Sequence, residues 1–175
     1  MQCTRVLLAE CKQCSSIALQ PQGEYVSCTS SDGGILKLYD LSSGYCDYLK
    51  TQSRICICSA FSPKGEIMCG GFTDGSIRLF STSGGELLQE LVGHADKVAA
   101  VAFDPRGRTL CSASGDGTLR LWRVTDGRCT AVLAADGEDR GYSCCAFHPR
   151  KPGVVLAGAA GGFAAVWDSE AAAAA

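Results

Sequence analysis

The stretch SASGDGTLRLW, Ser112 to Trp122, sets a polar, glycine-bearing loop against an alternating strand that ends in tryptophan. Two near-copies, SDGGILKLY (Ser31 to Tyr39) and TDGSIRLF (Thr73 to Phe80), place Asp32, Asp74 and Asp116 at intervals of 42 residues. Whatever Asp116 does must therefore be explicable for three aspartates, one per repeat. The glycine after the aspartate is what a tight turn needs, so a turn is the first reading and a catalytic acid the second.

The repeat extends well beyond the loop. Pro21, Pro63, Pro105 and Pro149 follow one another at 42, 42 and 44 residues, each two positions after Leu19, Phe61, Phe103 or Phe147. A fourth copy, AFHPRKPGVVLAGAAGGFAAVWD, carries Gly161 where the others have aspartate. In the third unit, Val98 to Phe103 is an apolar run and Pro105 to Gly107 a turn, followed by a strand over Thr109 to Ser114. Gly115-Asp116-Gly117 turns the chain again, Thr118 to Trp122 alternates, and Cys129 to Leu133 follows the Asp126-Gly127 turn. Four short strands per period describe one antiparallel four-stranded sheet per repeat, and no segment sustains a helical period. The expected fold is all-β. A sheet that is amphipathic on both faces buries them by stacking on its neighbours, which is the logic of a β-propeller.

The residues Gly93 to Trp122, GHADKVAAVAFDPRGRTLCSASGDGTLRLW, resemble a full unit of the WD-repeat β-propeller family. They contain a Gly-His pair, a Phe-x-Pro-x-Gly turn, a Ser-x-Asp-Gly loop and a terminal tryptophan. The resemblance covers nearly the whole chain and is degenerate outside the third unit. Tyr39-Asp40, Phe80-Ser81 and Trp122-Arg123 replace the Trp-Asp ending that Trp167-Asp168 keeps. The resemblance implies a structural hydrogen-bond tetrad of His94, Ser114, Asp116 and Trp122. Phe72 stands at the serine position of the second repeat, so Asp74 is expected to lack a tetrad.

On this alignment residues 1–10 form an outer strand of a preceding blade, because Cys3 to Ala9 (CTRVLLA) is similar to the fourth strand CTAVLAA of the third repeat. Residues 11–52, 53–92 and 93–135 are the three repeats, 136–170 an incomplete fourth, and 171–175 an alanine tail. A chain so divided reads as an arc of a larger propeller, with a closed four-bladed ring as the other reading.

Composition and chemistry narrow the function. Hydrophobic residues make up 46% of the chain and charged residues 19%, too apolar for disorder, and the net charge of −2 offers no basic surface for nucleic acid. No basic start leads into an apolar core. The longest uncharged apolar run, Val154 to Trp167, is broken by glycine and too short to span a bilayer, so the reading is soluble, without a membrane partner. Twelve cysteines suggest disulfides or zinc. Yet Cys28, Cys69 and Cys111 recur at nearly one point of the repeat, and Cys46 and Cys129 share another with Leu87, as small hydrophobes do. Only Cys11 and Cys14 have ligand-like spacing, no second such pair follows, and His94 and His148 are the only histidines, so no metal is expected. GAAGG, Gly158 to Gly162, lacks the lysine and the helix of a phosphate loop, and no cofactor is expected.

His94 reads as a structural histidine and His148 as exposed surface. Lys37, Arg78 and Arg120 alternate with apolar neighbours and read as wet faces of the third strands. What remains is recognition at the loop rim: Ser31, Thr73, Gly115 and Ala160 before or at the loop turns, and Lys12, Arg54, Lys97 and Arg140 at the entries to the inner strands. The resemblance implies a protein–protein interaction scaffold in a multi-subunit assembly, without catalysis or a small-molecule substrate. Its expected setting is the cytoplasm, with the cytoskeleton or a cilium among the places such scaffolds serve. A substrate adaptor for a ubiquitin ligase or signalling complex is the alternative, although the Trp-Asp-x-Arg ending it calls for is missing. A propeller-fold hydrolase is the reading from another class.

Overall fold

A computed structural model describes residues 14–30, 36–49, 54–134, 141–151, 153–159 and 162–168. The proposed outer strand Cys3 to Ala9, the rim residues Lys12, Ser31, Arg140 and Ala160, and the alanine tail lie outside the described residues.

The described residues form fifteen strands and no helix. The first sheet contains β1 (Cys14–Leu19), β2 (Tyr25–Ser30), β3 (Leu36–Asp40) and β4 (Cys46–Tyr48), in that order. The second contains β5 (Cys56–Phe61), β6 (Ile67–Phe72), β7 (Ile77–Ser81) and β8 (Leu87–Leu91). The third contains β9 (Val98–Phe103), β10 (Thr109–Ser114), β11 (Leu119–Arg123) and β12 (Cys129–Leu133). A fourth has three strands, β13 (Tyr142–Phe147), β14 (Val154–Ala159) and β15 (Ala164–Asp168). Every pairing is an antiparallel meander between neighbours in sequence. Three strands of the third sheet keep the bounds expected from sequence; only β11 starts one residue later and takes in Arg123.

The sheets stack in chain order through their innermost strands, β1 on β5, β5 on β9 and β9 on β13. Among the described residues the stack is open, an arc of a propeller rather than a four-bladed ring. Each interface has its own core. Leu36, Leu38, Met68, Phe72 and Phe80 fill the first, and Cys58, Cys69, Ile77, Leu79, Val98, Leu110 and Trp122 the second. Cys111, Ala113, Leu119, Val155 and Ala157 fill the third. Small residues there let sheets approach closely: Cys69 and Cys111 are buried at one register position, while Cys28, one residue further along its strand, is buried on the opposite face within blade 1. The later shared position is different: Cys129 and Leu87 lie exposed on their outer strands and Cys46 is half-buried.

Burial of the third strands overturns one expectation. Lys37 and Arg78 are not wet; they are 2% and 1% exposed, and Arg120 is partly buried. In blades 2 and 3 the third strand is an inner member of a sheet covered on both faces, so its alternation has no solvent side. Arg78 stacks its guanidinium over the Phe72 ring, 5.1 Å from the centroid, and runs outward to its cross-strand partner Glu90.

Candidate functional site

The Asp-Gly loop of the third blade is a two-part device. In its local part, Asp116 Oδ1 accepts the backbone N–H of Thr118 at 2.9 Å and its hydroxyl at 2.7 Å. Asp74 does the same toward Ser76, at 3.0 and 2.6 Å. Each thereby closes a tight turn whose next residue, Gly75 or Gly117, sits at a φ of +83° or +78°, where a side chain is strained. Gly75 is doubly constrained, because a Cβ there would lie 2.5 Å from the carbonyl oxygen of His94 in the next blade.

The second part uses the other carboxylate oxygen. Asp116 Oδ2 accepts the N–H of Ala95 at 3.0 Å and lies 2.9 Å from His94 Nδ1. His94 Nε2 lies 2.7 Å from Ser112 Oγ, and Trp122 Nε1 donates to the same oxygen at 2.8 Å. One proton arrangement satisfies all four groups: indole N–H to serine oxygen, serine O–H to Nε2, Nδ1–H to carboxylate. His94 is then neutral. Burial holds its pKa below the ordinary 6.5 despite the neighbouring carboxylate, and the charge of Arg120 pushes the same way. Burial works the other way on Asp116, but hydrogen bonds from Thr118, Ala95 and His94 outweigh it and keep the carboxyl well below the usual range.

The serine of this network is Ser112, not Ser114. The β9–β10 pairing shifts register between Ala113 and Ser114, with Ala99 as the extra residue on β9, so Ser114, on the same face of β10 as Ser112, stands beside the start of β9. Ser114 Oγ donates instead to the Asp96 carbonyl at 3.0 Å and accepts the Asp116 N–H at 3.2 Å. Ser112, one pleat earlier, faces the same side as Leu110 and its partner Trp122, within reach of both rings. The glycine of the Gly-His pair also has a steric reason. A Cβ on Gly93 would meet Arg120 Nη1 at 2.6 Å and the Trp122 ring at 3.1 Å.

Ser112, His94 and Asp116 have the hydrogen-bond spacing of a nucleophilic triad. They cannot act as one. Ser112 is 0% exposed and its oxygen is occupied by the indole N–H; the His94 side chain is 0% exposed and that of Asp116 8%. No substrate carbonyl can approach an oxygen enclosed in this way.

Blade 2 answers the same problem with charge. Asp74 Oδ2 pairs with Arg54 Nη1 at 2.6 Å, Arg54 reaches Glu90 at 3.0 Å, and Glu90 accepts Arg78 through Nε and Nη2, both at 3.1 Å. Sequence reasoning missed this network, although Glu90 falls twelve residues after Arg78 on the adjacent strand, a spacing that makes them cross-strand partners.

Of the described rim residues, Arg54 is therefore tied into ion pairs. Thr73 is exposed, its N–H on the Ile55 carbonyl, just as Gly115 N–H is on the Lys97 carbonyl one repeat later. Lys97 and Gly115 do come together. With Asp96, Ala99, Gly141, Tyr142 and Ser143 they line an open groove of about 340 Å³ between blades 3 and 4. His148 is half-buried, and its Nδ1 accepts the N–H groups of Arg150 and Lys151 at 3.1 and 3.0 Å, so it organises a turn. Among the described residues no cluster of His, Cys, Asp and Glu is arranged to hold a metal, and no helix is long and apolar enough to cross a membrane.

These features define a WD-type blade. The family described as "WD domain, G-beta repeat" matches residues 1–40, 48–81 and 85–123, more than half of the chain, and the chain belongs to that family. The third match takes in the outer strand β8 and ends with the third strand of the next sheet, β11; the second begins at the last residue of β4 and ends with β7. Repeats of this family generally mediate protein–protein interaction and are typically non-catalytic. No curated protein matches the chain.

Proposed function

We propose that the chain is a non-catalytic scaffold that holds other proteins in a larger assembly inside the cell, with the rim groove between blades 3 and 4 as its contact surface. The observation that carries this reading is the enclosure of the Ser112–His94–Asp116 network. The groups that could have done acid–base or nucleophilic work are consumed in holding a blade together, while Lys97 on the adjoining rim stays exposed. The buried thiols fit a reducing compartment, and a cytoskeletal or ciliary assembly is one setting in which such a scaffold serves.

Affinity capture with the folded chain, compared with Lys97→Glu and with a distal control such as Arg128→Glu, tests the reading. A partner retained by the control and lost by Lys97→Glu supports it. Ester or peptide hydrolysis that disappears in Ser112→Ala while the fold persists would overturn it in favour of an enzyme. A ubiquitin-ligase adaptor belongs to the same class, distinguished by ligase subunits among the captured proteins.

A further inference from the structure

Ten cysteines lie among the described residues, and two of them stand apart. Cys14 on β1 and Cys28 on β2 have their sulfurs 3.2 Å apart. Strict pairing sets Cys14 opposite Ser30 and Ile17 opposite Cys28, but a register shift between Cys14 and Ser16 brings the two sulfurs together. A disulfide bond is about 2.05 Å long, so closing it requires about 1 Å of further approach, within the range of a side-chain rotation. Cys14 is exposed on the innermost strand of blade 1, where Ile17 and Leu19 are also open to solvent.

The remaining thiols contrast with this pair. Cys56, Cys58, Cys69 and Cys111 are buried between blades. Burial raises the pKa of Cys56 and Cys69 well above the ordinary value and that of Cys58 to about 12, which keeps them as unreactive thiols. Cys129 and Cys144 are exposed, their sulfurs 3.4 and 4.0 Å from backbone carbonyl oxygens, as the Cys14 sulfur is 3.5 Å from that of Ser16; what sets Cys14 apart is the second sulfur beside it.

We propose that Cys14 and Cys28 form a reversible oxidation site, with Cys14 as the peroxide-reactive thiol and Cys28 as the resolving one. The Cys14 thiolate attacks one oxygen of hydrogen peroxide and the O–O bond breaks. Cys14 becomes a sulfenic acid, and the departing hydroxide takes up the thiol proton as water. The Cys28 sulfur then attacks the Cys14 sulfur; the S–S bond forms, the S–O bond breaks, and the hydroxyl leaves as a second water with the Cys28 proton. Two thiols are oxidised and one peroxide is reduced. The product staples β1 to β2 at the innermost edge of blade 1, and a dithiol reductant reverses it.

The sequence allows a direct test. Trypsin cuts after Lys12 and Lys37 and glutamyl endopeptidase after Glu24, which puts Cys14 alone in fragment 13–24 and Cys28 alone in 25–37. The folded chain is treated with hydrogen peroxide, its remaining thiols are alkylated, and the double digest is analysed by mass spectrometry. The expected result is 13–24 linked to 25–37 with the loss of two hydrogens, separated by dithiothreitol, with Cys56, Cys58, Cys69 and Cys111 alkylated only after unfolding. In Cys28→Ser the link disappears and Cys14 runs on to the sulfinic acid. Fragment 13–24 linked instead to 11–12 would identify Cys11 as the partner and overturn the proposal. So would oxidation of Cys14 alone in the unmutated chain with Cys28 still alkylatable. Should Cys28→Ser fail to fold, the exposed change Cys14→Ser takes its place: Cys28 must then stay reduced under peroxide, and its oxidation there would overturn the proposal equally.

Discussion

Blades 2 and 3 differ most where they look most alike. Both keep Asp-Gly at the loop, and in both the first carboxylate oxygen makes the same turn, toward Ser76 or Thr118. The second oxygen goes to a buried imidazole in blade 3 and to a half-exposed guanidinium in blade 2, where the Arg54 and Asp74 side chains are 41% and 35% exposed. Blade 2 has no room for the other solution. Gly70 stands where blade 3 has Ser112, and a Cβ there would lie 2.8 Å from Cys56 Sγ. Phe80, fully buried in place of Trp122, has no N–H to donate. An Asp-Gly turn is thus a local necessity, while the tie across the blade is a separate choice that each sheet's packing decides.

The comparison breaks most severely at the ring that spans both functions. Trp122→Ala removes a buried indole from the blade 2–3 core and leaves Ser112 without its donor. The expected loss is about 3–5 kcal/mol in denaturant titration, whereas a polar-only role predicts about 1. Next is the serine register. Ser112→Ala strands His94 Nε2 and the indole N–H in a buried site and should cost about 1–3 kcal/mol, while Ser114→Ala, which gives up a part-buried turn contact, should cost about 0.5–1. Equal costs would remove the distinction between the two serines.

The two ties also respond differently to solution conditions. His94 has a native pKa below 6.5, so the unfolded chain binds its proton first. Its contribution is complete above about pH 6.5 and is lost as pH falls from there through the native value, by at most about 1.4 kcal/mol per pH unit. Asp116 and Asp74 have carboxyls held below the ordinary 3.8, so their contributions are lost in a second stage as pH falls below about 4. His94→Asn should erase the first stage only. The smallest expected effect lies in blade 2: Glu90→Gln keeps an amide oxygen for the buried Arg78 and gives up the charge only in the half-exposed pair with Arg54, and should cost about 1 kcal/mol or less. Molar salt should shrink that difference while leaving the Ser112→Ala difference unchanged.

The period of the prolines and aspartates made the strands legible, because turn chemistry is local and needs no neighbour. The choice between Ser112 and Ser114 was not legible, because both lie buried on one face of β10 and nothing in SASGDG marks which hydroxyl stands beside the two rings. Lys37 and Arg78 misled for a related reason. Alternation distinguishes two faces of a strand but not whether both are covered, and a long basic side chain reads as wet until its cross-strand acid is located. Arg54 was recognised as a basic residue on a rim, but its engagement with Asp74 and Glu90 depends on three elements meeting.

The offset between the matched unit and the sheet has a consequence for how such chains can grow or shrink. Residues 85–123 take in one sheet's outer strand and end with the third strand of the next, and residues 48–81 keep the same frame from the last residue of β4 to the end of β7. Excising or duplicating one such unit therefore never leaves half a sheet behind. The flanking pieces supply a first-to-third set and a fourth strand that meet as a complete one. Segments of this length can be gained or dropped in whole steps, each changing the count of blades while every sheet keeps its full set of strands.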